Sequence, residues 1–303
     1  MLINNNSKMA KIPLFLRNTW YYALPSQQLK SGQILSKTLL NEQIIFSRDR
    51  SGAVSAKLNE TKSYPIQEAQ GNIWIYMSND ETPLILEDIP RIPDFGDQSH
   101  QAFESIRLPC DVDHAVVGLI DPAHIAFVHQ AWWWRSPETL KEVVKIFDPS
   151  LYGFTMRKHP LEQQTFFYRL IGRNPQIEIS FRLPGIRIEG ISTEKHMVYN
   201  VTAITPISET ETEETTLFYT TLPWFPIFKP LLLWFTRSFL HQDRKILLKQ
   251  QIGLQHNPPL TLVGDADAQA RWYYRLKAEF AQSQIQGRSF VHPIREKVLR
   301  WRS

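Results

Sequence analysis

The chain has 303 residues, 43% of them hydrophobic and 21% charged, the make-up of an ordinary globular protein with room for one large or two modest domains. Its net charge of +4 is mild and no nucleic-acid-binding motif accompanies it, so a nucleic-acid partner is not expected. A single cysteine, Cys110, excludes an intrachain disulfide, a Cys-rich zinc site and any iron–sulfur cluster ligated by this chain alone.

The run from Met1 to Phe15 has too short an apolar stretch for a secretory signal and no small-residue cleavage site, and Met9 offers a second start. A cytoplasmic location is expected, peripheral to a membrane at most. Residues 15 to 80 alternate apolar and polar positions between turn signals, as in Gln43-Ile44-Ile45-Phe46-Ser47 and Asn72-Ile73-Trp74-Ile75-Tyr76. That is the pattern of short antiparallel strands.

Pro83, Pro90 and Pro93 then mark a connection, which places one unit at 1–82 and a second at 83–303. The second reads as α+β: a helix opening near Asp121, strands from about Phe154 to Thr221, and helices from about Leu231 onward. The longest apolar segment, Leu217 to Leu240, is interrupted by Pro223, Pro226, Lys229, Pro230 and Arg237, which argues against a spanning helix but leaves contact with a membrane face open. Within it, the aromatic run Leu222 to Phe235 reads as core or pocket wall. Arg288, Arg295, Lys297, Arg300 and Arg302 gather around Trp301, a pattern read as a solvated tail, with docking of an acidic electron carrier as the alternative.

The most informative run is Asp121-Pro122-Ala123-His124-Ile125-Ala126-Phe127-Val128-His129. Asp121 suits an N-cap and Pro122 the first helical position, so both histidines fall on a helix just begun. Five residues apart, they diverge on a straight α-helix and converge only if a widened turn of the π-bulge kind separates them. Further on, 3.6-residue periodicity stacks Leu233, Leu240, Leu247 and Leu254 on one face and sets Asp243 among them. A carboxylate on such a stripe needs a partner: an ion pair with Arg244 or Lys249, a solvated edge, or a metal. Two imidazoles and one carboxylate are a donor set that holds Fe(II) and leaves coordination positions open. The other histidines, His100, His114, His159, His196, His241, His256 and His292, show no ligand spacing. Trp132-Trp133-Trp134 read equally as core or as pocket or interface lining.

These residues resemble the α-subunits of Rieske-type non-haem iron oxygenases, whose iron motif is D-x2-H-x4-H with a distant Asp as third ligand. Phe15 to Ala23 looks like the family's start, the stretch to Ala56 like the first strands of its Rieske domain, and Tyr64 to Tyr76 like the strands that close it. Where the family carries C-x-H and C-x2-H, this chain has only Lys57 to Ser63. Gln242-Asp243-Arg244 resembles the third-ligand helix, and Asp265-Ala266-Asp267 with Arg271-Trp272-Tyr273 resembles the C-terminal helix of the pheophorbide and chlorophyllide oxygenase branch.

The resemblance implies His124, His129 and Asp243 as ligands of a mononuclear Fe(II), with no [2Fe-2S] cluster in this chain. Asp121 would match the aspartate that links the iron to the cluster of the neighbouring subunit in a trimer. The implied fold is a reduced antiparallel β region, a remnant of the Rieske domain, leading into a helix-grip (Bet v 1-like or START-like) catalytic domain.

The implied activity is that of a mono- or dioxygenase which hydroxylates or demethylates an apolar, aromatic or pigment-like substrate. Its electrons would come from a separate Rieske protein or a ferredoxin and reductase. Two positions differ from the branch: Val117-Gly118 stands where Glu-Asn is frequent, which removes a polar group beside the motif, and Ala126 replaces a frequent proline. A second reading is therefore a non-catalytic subunit that binds a hydrophobic ligand or stabilises a Rieske-containing paralogue.

Overall fold

The structure, a computed structural model, describes residues 12–80, 88–93, 95–124, 128–129, 142–161, 171–256 and 258–302. Pro83, Ala126 and Trp132 to Trp134 lie outside them, as does the turn between the two histidines of the motif.

The first seven strands form two small antiparallel sheets. One takes the order β1-β7-β6, from Trp20–Pro25, Asn72–Tyr76 and Ile66–Ala69. The other takes the order β2-β3-β4-β5, from Ile34–Leu39, Glu42–Arg48, Val54–Lys57 and Ser63–Tyr64. In β3 the alternation reads as expected, with Ile44 and Phe46 buried and Ile45 exposed. In β7 it separates two buried faces, because Ile73 and Ile75 join the core of the small sheets while Trp74 and Tyr76 join a second cluster.

Between β4 and β5 the chain closes tightly. Lys57 pairs with Ser63 and the Leu58 N–H donates to the Lys62 carbonyl at 2.9 Å. Asn59 Oδ1 accepts from the Thr61 and Lys62 N–H groups at 3.0 and 2.8 Å. This is an Asx-type turn that satisfies its own backbone without a larger insertion.

The remaining strands build one eight-stranded antiparallel sheet, β15-β9-β10-β11-β12-β13-β14-β8. They run β8 Ala102–Leu108, β9 Glu142–Ser150, β10 Gly153–Pro160, β11 Gln176–Arg182, β12 Ile186–Ser192, β13 Met197–Pro206, β14 Thr212–Thr220 and β15 Lys297–Arg302. The sheet is thus wider than the sequence suggested at both ends. β15 also corrects the reading of the basic C-terminal run as a tail: Leu299 and Trp301 are buried and the cations alternate outward on an edge strand, where charge discourages further pairing.

One face of this sheet, carrying Ile186, Val201, Ala203, Leu217 and Tyr219, packs on Trp20, Tyr22, Trp74 and Tyr76 of the small sheets. The other face packs on helices. These are α1 Val112–Ile120, α2 Phe225–Leu254 and α3 Ala268–Gln286. The cluster of Phe154, Phe181 and Ile204 with Val116, Trp272, Tyr273 and Phe280 joins that face to α1 and α3, and Ile177 and Ile191 meet Leu222 and Phe225 at the start of α2. A long helix laid on an antiparallel sheet gives the α+β, helix-grip arrangement expected.

One helix, α1, was not read from the sequence, and the start of another differs from the reading. α1 precedes Asp121: it is capped by Asp111, whose carboxylate accepts the His114 N–H at 2.9 Å, and Asp121 stands at its C-terminal end. α2 begins at Phe225, six residues early, because Pro226 occupies the first turn, where its missing N–H costs nothing, and Pro230 is carried inside. The run Leu222 to Phe235 is only partly core: Leu222 and Phe225 are buried, while Ile227, Phe228, Leu231 and Trp234 face outward. Among the described residues no helix is long and apolar enough to cross a membrane.

Candidate metal centre

The break between α1 and the motif is made by Asp121. Its backbone N–H still bonds to Val117, but its ψ of 111° is extended, so the helix stops there. Its carboxylate then accepts the Ala123 N–H at 2.8 Å, a cap-type bond that begins a new turn. The carbonyl of Asp121 takes Nδ1 of His124, which fixes that ring's tautomer as Nδ1–H and leaves Nε2 free to act as a donor atom.

His129 is buried, and its Nδ1 lies 3.1 Å from Gln242 Oε1 on α2, which again directs Nε2 away from its anchor. That Nε2 sits 3.5 Å from Asp243 Oδ1. The rings of His124 and His129 meet edge to face at 5.4 Å between centroids, and His129 also packs on Phe239 at 4.7 Å. Among the described residues His124, His129 and Asp243 form one group whose potential ligand atoms all lie within 4.8 Å of one another. The periodicity argument for α2 holds: Leu240 and Leu247 are buried on the face that carries Asp243.

The electrostatics suit a bound cation. Burial lowers His124, with the Arg187 charge adding to the effect, and burial brings His129 down to about 4, so both imidazoles are neutral donors. Burial, and after it the neighbouring Glu214, pushes Asp243 up to about 8. Neither cation proposed as its partner answers it: Arg244 donates to the Arg107 carbonyl at 3.2 Å and Lys249 is exposed. A half-buried carboxyl facing two neutral imidazoles is short of positive charge, and a divalent ion supplies it. The donor set of two nitrogens and one carboxylate fits ferrous iron.

Three further residues bear on the site without having been named for a role from the sequence. Gln242 provides the polar support that Val117-Gly118 withholds. Glu214 is buried on β14 and raised to about 7 by desolvation, with Arg187 opposing that shift. Arg187, on β12, is paired with Glu189 at 3.0 Å. Strand register sets Arg187, Glu189, Asn200, Thr202, Glu214 and Thr216 on the sheet face that meets the helices. On that face Asn200 Oδ1 is buried with no hydrogen-bond partner, and it gives way to the apolar cluster of Ile177, Ile191, Leu222 and Phe225. A lone Glu214 between threonines on an alternating strand was the available signal. Gln242 stood only as part of the run resembling the third-ligand helix, and Arg187 gave no signal. Of the remaining histidines, His114 pairs with Asp111 and His292 binds the Ser150 and Gly153 carbonyls, as expected of satisfied residues, whereas Nδ1 of His100 and of His196 is buried without a partner.

Comparison with known proteins agrees with this architecture. Residues 118–281, more than half of the chain, match the family described as the vanillate O-demethylase oxygenase C-terminal domain. A segment of 79 residues is 30% identical to the chloroplastic protein TIC 55 of Pisum sativum, covering 25% of this chain and 14% of that protein. Dicamba monooxygenase bound to dicamba superposes with a TM-score of 0.65 at 17% identity over 90% of this chain and 99% of that one. An NdmA variant from Pseudomonas putida CBB5 with theobromine gives 0.66 at 13% identity over 89% and 92%. The terminal oxygenase of carbazole 1,9a-dioxygenase from Nocardioides aromaticivorans IC177 gives 0.59 at 17% identity over 89% and 95%. On the match over residues 118–281, the chain belongs to the Rieske-type non-haem iron oxygenases, through their vanillate O-demethylase oxygenase C-terminal domain family.

Proposed function

We propose that this chain is an oxygenase component that holds a single Fe(II) between His124, His129 and Asp243, and that takes its electrons from a separate Rieske or ferredoxin-type protein. The observation that carries the reading is the convergence of two neutral imidazoles and an uncompensated carboxyl within 4.8 Å of one another. Ferrous iron bound there would supply activation of dioxygen, the chemistry that the side chains themselves lack. The protein's own part is orientation. Asp121 and Gln242 hold the two Nδ1 atoms, so both Nε2 atoms are aimed before the metal arrives.

Asp121 is also the proposed point of electron delivery. It reaches His124 through one hydrogen bond, which its own carbonyl accepts from Nδ1–H of that ring, and its carboxyl is raised by burial. The closed turn at Asn59, in place of the family's cysteine- and histidine-bearing insertion, is why the cluster must come from elsewhere. On this reading residues 1–82 are a remnant of the Rieske domain that supports the sheet, and residues 83–303 are the catalytic unit, assembled into a trimer with its own copies or with a cluster-bearing paralogue.

The substrate is proposed to be apolar with a polar group at one end, hydroxylated or demethylated. The face of Ile177, Ile191, Leu222 and Phe225 excludes water from its body, and the unpaired Asn200 Oδ1 offers an acceptor to its polar end. The test mixes iron-loaded protein with candidate Rieske donors, a reductase and substrates of this class. Substrate-dependent oxygen uptake is the expected result. If uptake fails with every co-purifying donor, and His124→Ala leaves the turnover of a complex containing this chain intact, the chain is an assembly subunit instead.

A further inference from the structure

We propose that the outward face of α2 is a docking surface for an anionic lipid bilayer, lying flat in its interface. The proposal is independent of the iron reading. At 100° per residue, the face opposite Leu240, Asp243 and Leu247 is a single line through Ile227, Leu231, Trp234, Lys245, Lys249 and Ile252, spaced three, four, seven or eleven residues apart. Its first half is apolar and turned to solvent: Ile227 is 78% exposed, Leu231 45% and Trp234 61%. Its second half bears Lys245 and Lys249, both exposed, with Ile252 64% exposed beyond them.

Charge chooses the occupant. α2 holds five basic residues and one acidic residue, and the acid, Asp243, belongs to the opposite face. A line of large apolar side chains continued by cations and free of carboxylates suits headgroup phosphates over an acyl boundary. A second copy of this chain would have to bring acids to Lys245 and Lys249. The line from Ile227 to Ile252 extends over about 38 Å at 1.5 Å per residue, long enough to rest along a plane and too polar to enter it.

The full chain is mixed with vesicles of phosphatidylcholine alone and of phosphatidylcholine with phosphatidylglycerol. Sedimentation with the anionic vesicles only, weakened by salt, is expected. Trp234→Glu should lower partitioning about tenfold or more, and Lys245→Glu with Lys249→Glu should remove the preference for anionic lipid. Because these side chains point outward, the variants should keep the circular dichroism of the parent. Equal sedimentation of parent and variants, or none with either vesicle, overturns the proposal. So does light scattering in which the parent self-associates and Trp234→Glu is monomeric without any vesicle binding, which would assign the face to a second copy.

Discussion

Asp243 Oδ1 lies 3.5 Å from Nε2 of His129, yet burial holds the carboxyl up and the imidazole down, so in the metal-free chain the two do not form an ion pair at neutral pH. On binding a divalent ion the carboxyl would ionise, while the imidazole is already in its neutral, ligating form. The arrangement is prepared on one side by Gln242 and on the other by Asp121.

Gln242→Leu removes the group that orients His129 while leaving all three proposed ligands in place. Iron affinity should fall about 10- to 100-fold, measured by competition with a chelator, with little loss of fold. Gln242→Glu should restore most of it. Unchanged affinity in the leucine variant would remove Gln242 from the site.

Asp121→Asn keeps an oxygen to accept the Ala123 N–H and keeps the backbone carbonyl that holds His124. Iron content should therefore stay at the parent's level while reduction by a Rieske donor slows at least tenfold. Reduction as fast as the parent's at full iron content would mean that the carboxylate serves the turn and nothing more.

The fold was legible where periodicity is strong and both neighbours agree. β3 and the Asp243 face of α2 are visible in the sequence because buried residues recur at two or at three and four, and β7 because it is a short apolar run buried on both faces. α1 was not read at all, whereas the Asp-Pro pair signalled the turn that follows it, in which His124 and Val128 are helical. The site was legible as three residues only by resemblance. The role of Gln242 depends on where α2 meets His129 and that of Arg187 on which sheet face it takes, which no local pattern encodes.

Lys277 is buried on α3 against Asp113 of α1 and the Leu14 carbonyl, and Tyr273 donates to the same Asp113 at 2.6 Å. Lys277→Met leaves that carboxylate facing a tyrosine alone and should cost about 3 kcal/mol of stability, read as a fall in denaturant midpoint. Asp113→Leu added to it should recover part of the loss. A single variant as stable as the parent would contradict the role given to the pair.

His114 at the start of α1 is raised by its bond to Asp111 at 2.8 Å, while Asp111 is lowered by the hydrogen bonds from His114 after opposing its own burial. The folded state therefore binds the histidine proton more tightly than the unfolded chain. The stabilisation it adds is complete below the unfolded value of about 6.5 and is lost as pH rises through the folded one. His114→Gln should flatten the stability profile in that window by about 1 kcal/mol or less, measured by urea unfolding at several pH values. A variant profile as steep as the parent's would assign the slope elsewhere.

The most direct test is the metal itself. Purified chain and Asp243→Asn are loaded anaerobically with Fe(II), desalted, and assayed for iron by atomic absorption and for thermal midpoint. The parent should retain a single iron per chain and, with free iron restored to a hundredfold above Kd, gain about 2.7 kcal/mol of stability, whereas Asp243→Asn should retain almost none and show no gain. Equal iron in both proteins, or none in the parent, would contradict the assignment of His124, His129 and Asp243 as the iron site.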